Sequence, residues 1–148
     1  MPLQRDLREF IESLNSHGVE YLIVGAYALA FHGVPRSTGD IDILVRASPE
    51  NAARIERVLV DFSFASLGLS AADFVEADQV IQLGHPPNRL DLLTSITGVG
   101  FDEAWKGRVA AQLHGIPVHV LGRECLIRNK RATGRPRDLA DLEALGAQ

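Results

Sequence analysis

Asp40 and Asp42 stand two residues apart at the head of residues 40–45, Asp-Ile-Asp-Ile-Leu-Val, a run rich in branched side chains. If that run is a strand, alternation carries both carboxylates to one face, with Cα atoms roughly 6.5 Å apart, and turns Ile41 and Ile43 to the core. Two ionised carboxylates that close repel by a few kcal/mol at an effective dielectric of about 20, so the pair calls for a shared proton or a bound cation. A divalent metal is the expected partner.

The elements just upstream must position this pair. Residues 21–25 form a nearly continuous apolar run that reads as a buried strand, and Gly25 marks a turn where the backbone approaches something closely. Residues 26–32 then read as a short helix. The N–H groups and dipole at its start favour an anion beside Gly25. A turn-rich loop over residues 33–39 delivers the chain to Asp40.

The rest of the chain supplies a frame. Leu3, Leu7, Phe10, Ile11 and Leu14 fall at helical spacing, and Gly18 supplies a stop. Ser48 as N-cap and Pro49 at the first helical position predict a helix running to about residue 62. A brief helix is expected over residues 71–74. Residues 79–83 and 90–94 read as strands joined by a hairpin connection over residues 84–89, which places Asp91 on the second strand. A short helix over residues 101–106 precedes a strand pair over residues 109–113 and 116–121. Helices over residues 124–130 and 138–145 close the chain, with Gly134 and Pro136 punctuating the segment between them. The pattern is a single domain over residues 1–148, a small mixed β-sheet flanked by helices of the α/β (α+β) class, with C-terminal helices from about residue 122.

Composition narrows the function. With 148 residues, 46% of them hydrophobic, the chain has the material for one ordinary core. A formal net charge of -4 argues against an extended basic surface gripping a nucleic-acid backbone, while leaving room for a local basic groove. The single cysteine, Cys125, excludes an internal disulfide framework and reads as a small buried residue. Five scattered histidines lack metal-ligand spacing, so zinc is not expected, and His32 reads as a packing or C-cap residue. Residues 1–10 lack the apolar core of a signal peptide, and no window approaches the roughly 20 apolar residues of a membrane span. A cytoplasmic protein with no membrane partner is expected.

Gly25 after a strand, a short helix, Asp40 and Asp42 at the head of the next strand, and an acidic residue in a later strand together resemble the nucleotidyltransferase superfamily that includes DNA polymerase β. The stretch over residues 24–33, Val-Gly-Ala-Tyr-Ala-Leu-Ala-Phe-His-Gly, followed by residues 36–42, Arg-Ser-Thr-Gly-Asp-Ile-Asp, resembles its small stand-alone bacterial and archaeal members. Lys130, Thr133, Arg135, Arg137, Asp138 and Asp141 resemble their C-terminal segment. The resemblance implies that Asp40 and Asp42 are paired metal ligands and that Asp91 is the third carboxylate, which also helps to activate the acceptor. It implies two Mg²⁺ (or Mn²⁺) ions about 3.5–4 Å apart, which hold a triphosphate and stabilise the leaving pyrophosphate. Gly25, Ala26, Arg36, Ser37 and Thr38 would contact the phosphates, and Lys130 the nucleotide. One departure is Ala26, where the family carries glycine or serine: the backbone N–H is kept and a hydroxyl is lost.

The activity so implied is transfer of a nucleoside monophosphate (NMP) from a nucleoside triphosphate (NTP) to an acceptor hydroxyl, with release of pyrophosphate. The acceptor is left open among RNA such as tRNA, a protein and a small molecule, as is a homo-oligomer or a protein partner. Small members of this superfamily also resemble components of toxin–antitoxin and abortive-infection systems. The alternatives are therefore a growth-controlling toxin and a non-catalytic relative that only binds nucleotide or protein.

Overall fold

Tyr21–Val24 (β1) is apolar and buried at every position, as a strand covered on both faces must be. A computed structural model describes residues 5–35, 40–62, 68–84 and 89–147 of the chain. In it β1 runs antiparallel to Ile41–Val45 (β2), with Val24 opposite Asp42 and Tyr21 opposite Val45. Leu90–Leu93 (β4) lies parallel to β2 on its other side, and Val80–Leu83 (β3) pairs antiparallel with β4 at one edge. Ile116–Val120 (β6) runs parallel to β1, and Val109–Leu113 (β5) closes the other edge antiparallel to β6. The result is the expected mixed sheet, six strands in the order β3-β4-β2-β1-β6-β5.

Period-two alternation divides the sheet's side chains between two cores. Ile41, Ile43, Ile23, Leu90 and Leu92 face Arg5–Ser16 (α1), Pro49–Asp61 (α3) and a 3₁₀ turn over Ala71–Phe74, whose Phe74 is fully buried. Leu22, Val24 and Leu44 point the other way. They pack with Leu29 of Gly25–Phe31 (α2), Ala104 of Phe101–Lys106 (α4), Leu126 of Arg123–Thr133 (α5) and Leu142 of Pro136–Ala144 (α6). Asp42 shares this second face with its strand neighbour Leu44, so the carboxylates look toward α2 and the C-terminal helices.

Local signals account for most element ends. Ser48 Oγ accepts from the Asn51 N–H at 3.2 Å, with Pro49 at the first helical turn as predicted. His32 is the C-cap residue of α2, and its Nε2 lies 2.8 Å from the Leu121 carbonyl oxygen, a structural role. Two boundaries differ from the expectation by more than one residue. Helix α5 continues to Thr133 rather than ending at residue 130, because Thr133 Oγ1 donates back to the Asn129 and Lys130 carbonyls at 3.1 Å and Gly134 then caps it at φ +60°. Pro136 opens α6 instead of lying between the helices, at the position where a missing N–H costs nothing. Among the described residues no helix is long and apolar enough to cross a membrane.

One buried polar residue stitches the start of α3 to the ends of β1 and β2. The Asn51 side chain is 1% exposed, accepts from Glu20 N–H at 2.7 Å, and donates to the carbonyls of Glu20 and Arg46, each at 3.0 Å. Asn51→Ala is expected to lower unfolding free energy by about 2–4 kcal/mol, through orphaned backbone groups rather than lost apolar area. Urea denaturation with an unchanged slope checks this.

Candidate active site

The site begins where β1 turns into α2. Gly25 takes φ +66°, a left-handed conformation that costs glycine nothing. The absent side chain matters as much as the angle: a Cβ built on Gly25 would stand 2.5 Å from Asp42 Oδ2 and 3.3 Å from Asp42 Cγ. The close approach signalled by this glycine is therefore to the second aspartate itself. Because Val24 is paired with Asp42, the strand register brings the two together.

Register also assembles the carboxylates. Asp42 and Asp91 are direct partners across the parallel β2–β4 ladder, so their side chains leave the same face of strands about 4.8 Å apart and lie within hydrogen-bonding reach of each other. Asp40 sits one residue before β2, at the same end of the ladder. Asp91 is buried, and Asp40 is about one-third exposed at 35%. Arg89 ties the outer two together: Nε lies 3.1 Å from Asp91 Oδ1, while Nη2 lies 3.1 Å from Asp91 Oδ2 and 3.2 Å from Asp40 Oδ2. Its carbonyl accepts from Ile41 N–H at 3.3 Å, which continues the ladder and fixes its place beside Asp40.

Burial pushes the Asp42 carboxyl up to about 6, helped by the charges of Asp91 and then Asp40 and opposed by Arg89. Among the described residues, one guanidinium, that of Arg89, stands against the three carboxylates. The donor set is hard carboxylate oxygen throughout, the chemistry that suits Mg²⁺ or Mn²⁺, and the surplus negative charge is what such an ion would neutralise. Among the described residues no three His, Cys, Asp or Glu side chains form a ready-made metal cage. Asp40 is joined to Asp91 through Arg89 instead.

These groups open onto a cavity of about 760 Å³. Gly25, Ala26, Asp40, Asp42, Arg89 and Asp91 form one wall, and Asn129, Lys130, Thr133, Arg135 and Arg137 from α5 and α6 form the facing one. Lys130 reaches this cavity, but its ammonium is engaged, 3.3 Å from Asp138 Oδ1 and 2.9 Å from Asp141 Oδ2. Arg36, Ser37 and Thr38, expected on the phosphates, lie outside the described residues. Cys125 is buried against α4, and burial raises its thiol, so it offers no nucleophile.

Sequence reasoning brought Asp40, Asp42, Asp91, Gly25, Ala26 and Lys130 to this site, and the structure puts all six around the one cavity. It passed over Arg89, Asn129 and Thr97. The signal for Arg89 was present, since it precedes Asp91 by two residues on the same strand track and so shares its face. Asn129 and Thr97 carried none: they meet across 32 residues, Asn129 Nδ2 donating to the Thr97 carbonyl at 2.8 Å.

No family model matches the chain, and no curated protein matches it. Solved structures do. A Thermotoga maritima protein provisionally assigned as a nucleotidyltransferase aligns over 95% of this chain and 89% of its own, with a TM-score of 0.60 and 20% identity. An antigenic nucleotidyltransferase-like protein from Paracoccidioides brasiliensis aligns over 98% of this chain and 76% of its own, with a TM-score of 0.54 and 16% identity. The chain has a nucleotidyltransferase-like fold.

Two outcomes follow from the Asp42 environment. A carboxyl whose folded pKa lies above its unfolded value binds more protons in the folded state, so it erodes stability as pH rises from about 4 through about 6. In metal-free buffer Asp42→Asn is expected to melt above wild type at pH 8, by a few degrees for roughly 1 kcal/mol after allowing for solvent screening, with the difference vanishing near pH 4. Calorimetry across that range reads it. Gly25→Ala would be strained in backbone and would strike Asp42 Oδ2, and is expected to cost about 1–3 kcal/mol in thermal or urea unfolding.

Proposed function

We propose that the protein is a metal-dependent nucleotidyltransferase that moves an NMP group from an NTP to an acceptor hydroxyl and releases pyrophosphate. The observation that carries this reading is the in-register pair Asp42 and Asp91, with Asp40 beside them, at the wall of one cavity and seated on Gly25. Neighbours of the same fold add support at the level of architecture. Composition and fold alone would leave the chemistry open.

In this reading Asp40, Asp42 and Asp91 hold Mg²⁺ or Mn²⁺, which when bound polarises the phosphate oxygens and eases ionisation of the acceptor. The chain's own residues do the rest. The acceptor oxygen forms a bond to the α-phosphorus as the bond from that phosphorus to the α–β bridging oxygen breaks, and pyrophosphate carries off the electron pair. The acceptor proton passes to Asp91, the third carboxylate, which stands beside Asp42 across the ladder. Gly25 and Ala26 line the wall along which the triphosphate would run, and Ala26 keeps the backbone donor that such a contact uses. Arg36, Ser37 and Thr38 are further phosphate contacts on this proposal, and Lys130 anchors the facing wall. The acceptor is RNA such as tRNA, a protein or a small molecule.

A second reading, nucleotide binding without turnover, is favoured by Ala26 and by carboxylates that are bridged by Arg89 rather than gathered into a cage. The two readings part on transfer. Thermal unfolding with each of the four NTPs should show a Mg²⁺-dependent rise of several degrees with the preferred donor at about 100 times its dissociation constant, where the gain is roughly 2.7 kcal/mol. Incubation of that radiolabelled NTP with total RNA, with protein extract and with the chain alone should then label one acceptor and release pyrophosphate. Asp42→Asn or Asp91→Asn should cut transfer by more than about 100-fold with the fold intact. Binding that leaves every acceptor unlabelled would establish the second reading, and no shift with any NTP would defeat both.

A further inference from the structure

Among the described residues, Arg89 is the cation set between Asp40 and Asp91, and its place has consequences for what else can enter. Its fork spans Asp91 in two bonds of 3.1 Å and reaches Asp40 at 3.2 Å, so the oxygens that would ligate a divalent ion are already engaged by a guanidinium. The guanidinium and a divalent ion would compete for the same lone pairs of those oxygens, and the repulsion between them weakens the hold of each. Among the described residues no ion pair reaches Asp42, and Arg89 holds the cluster together through Asp40 and Asp91.

The anchoring is asymmetric. The Arg89 carbonyl belongs to the β2–β4 ladder through the Ile41 N–H, which pins the backbone. The side chain lines the same cavity of about 760 Å³ and is 29% exposed, so it has room to turn without moving a strand. A guanidinium leaving two carboxylates needs another planar array of anionic oxygens, and a polyphosphate offers one with matching bidentate geometry.

Resting on the functional reading above, we propose that Arg89 is a resident counter-cation that a divalent ion must displace, and that the triphosphate of the donor receives the displaced guanidinium. Metal and donor then bind cooperatively. Either one alone meets a cost that the other removes: the metal must strip Arg89 from its carboxylates, and the triphosphate must recruit an arginine held elsewhere. Arg89 acts as a positioning residue, setting the order and coupling of binding.

The test uses Mn²⁺ as the metal, followed by electron paramagnetic resonance, and inorganic tripolyphosphate as a base-independent mimic of the donor. Wild type should bind Mn²⁺ weakly alone and at least about tenfold more tightly with tripolyphosphate. Arg89→Gln should bind Mn²⁺ alone about tenfold more tightly than wild type, and its coupling to tripolyphosphate should fall toward one. Chelation of Mn²⁺ by tripolyphosphate in solution is common to both proteins and cancels. Loss of the Arg89 charge would by itself favour Mn²⁺, so the coupling is the deciding readout: an undiminished coupling to tripolyphosphate in Arg89→Gln, or Mn²⁺ binding no tighter than wild type, overturns the proposal while leaving the functional reading standing. If neither protein binds Mn²⁺, both fall. Should Arg89→Gln fail to fold, Arg89→Lys keeps the charge and loses the fork; Mn²⁺ binding tighter than wild type supports displacement, and unchanged binding overturns it.

Discussion

The structure turns on seating a half-buried carboxylate, Asp42, in the middle of a hydrophobic sheet. Its neighbours along β2, Ile41 and Ile43, are fully buried, and each contributes roughly 1.5–3 kcal/mol to the strand's place in the core. That grip fixes the register, and a slip of one residue would send Asp42 into the opposite core. Register then determines everything else nearby: Val24 opposite Asp42 puts the α2 turn over the carboxylate, and Asp91 opposite Asp42 puts a second acid against it. Apolar packing does the positioning, and the electrostatic tension is tolerated because so much burial holds it in place.

The facing wall solves a different problem with the same materials. Asp138 and Asp141 are almost fully buried between α5 and α6, which would be prohibitive if they were unpaired. Lys130 from α5 meets both, and Arg135 donates to Asp138 through its side chain at 2.7 Å and its backbone N–H at 3.1 Å. The Arg135 hydrogen bond, foremost, holds the Asp138 carboxyl well below the usual range despite its burial. These charges are compensated by cations of the same helix corner, whereas among the described residues no ion pair reaches Asp42 on the opposite wall. Acids of the same kind thus sit in different settings on the two sides of one cavity: one network fixes a helix corner, and the other lines the candidate site.

Legibility in the sequence followed the range of the causes. The two aspartates, the Ser48–Pro49 helix start, the strand pair over residues 109–121 and even the short turn over residues 71–74 are set by neighbours in the chain, and periodicity or capping exposes them. Gly25 was legible as a point of close approach, but the group approached was not, because it depends on strand register across 17 residues of chain. Pro136 misled, since the same ring that breaks a helix interior starts one well, and only the downstream Asp138, accepting from the Arg135 N–H, decides between them. Lys130 was readable as a cavity residue through its resemblance to relatives; its engagement by two buried acids was not, because both come from the next helix.

Arg89 is the most instructive omission. A basic residue two positions from an acid on a strand is ordinary on an exposed edge, where such a pair is worth little. What changes its meaning is the parallel pairing of β2 with β4, which sets Asp40 beside the same guanidinium and closes a bridge between carboxylates that the chain separates by 51 residues. A motif built only of acids describes what a metal would need. The arginine among them describes what would hold those acids together before an ion arrived: a ligand set partly neutralised by Arg89 would let the chain fold while keeping the site's charge in reserve. On the proposed displacement, the same three carboxylates would serve stability through Arg89 and binding through its departure, so the two demands would meet at one side chain.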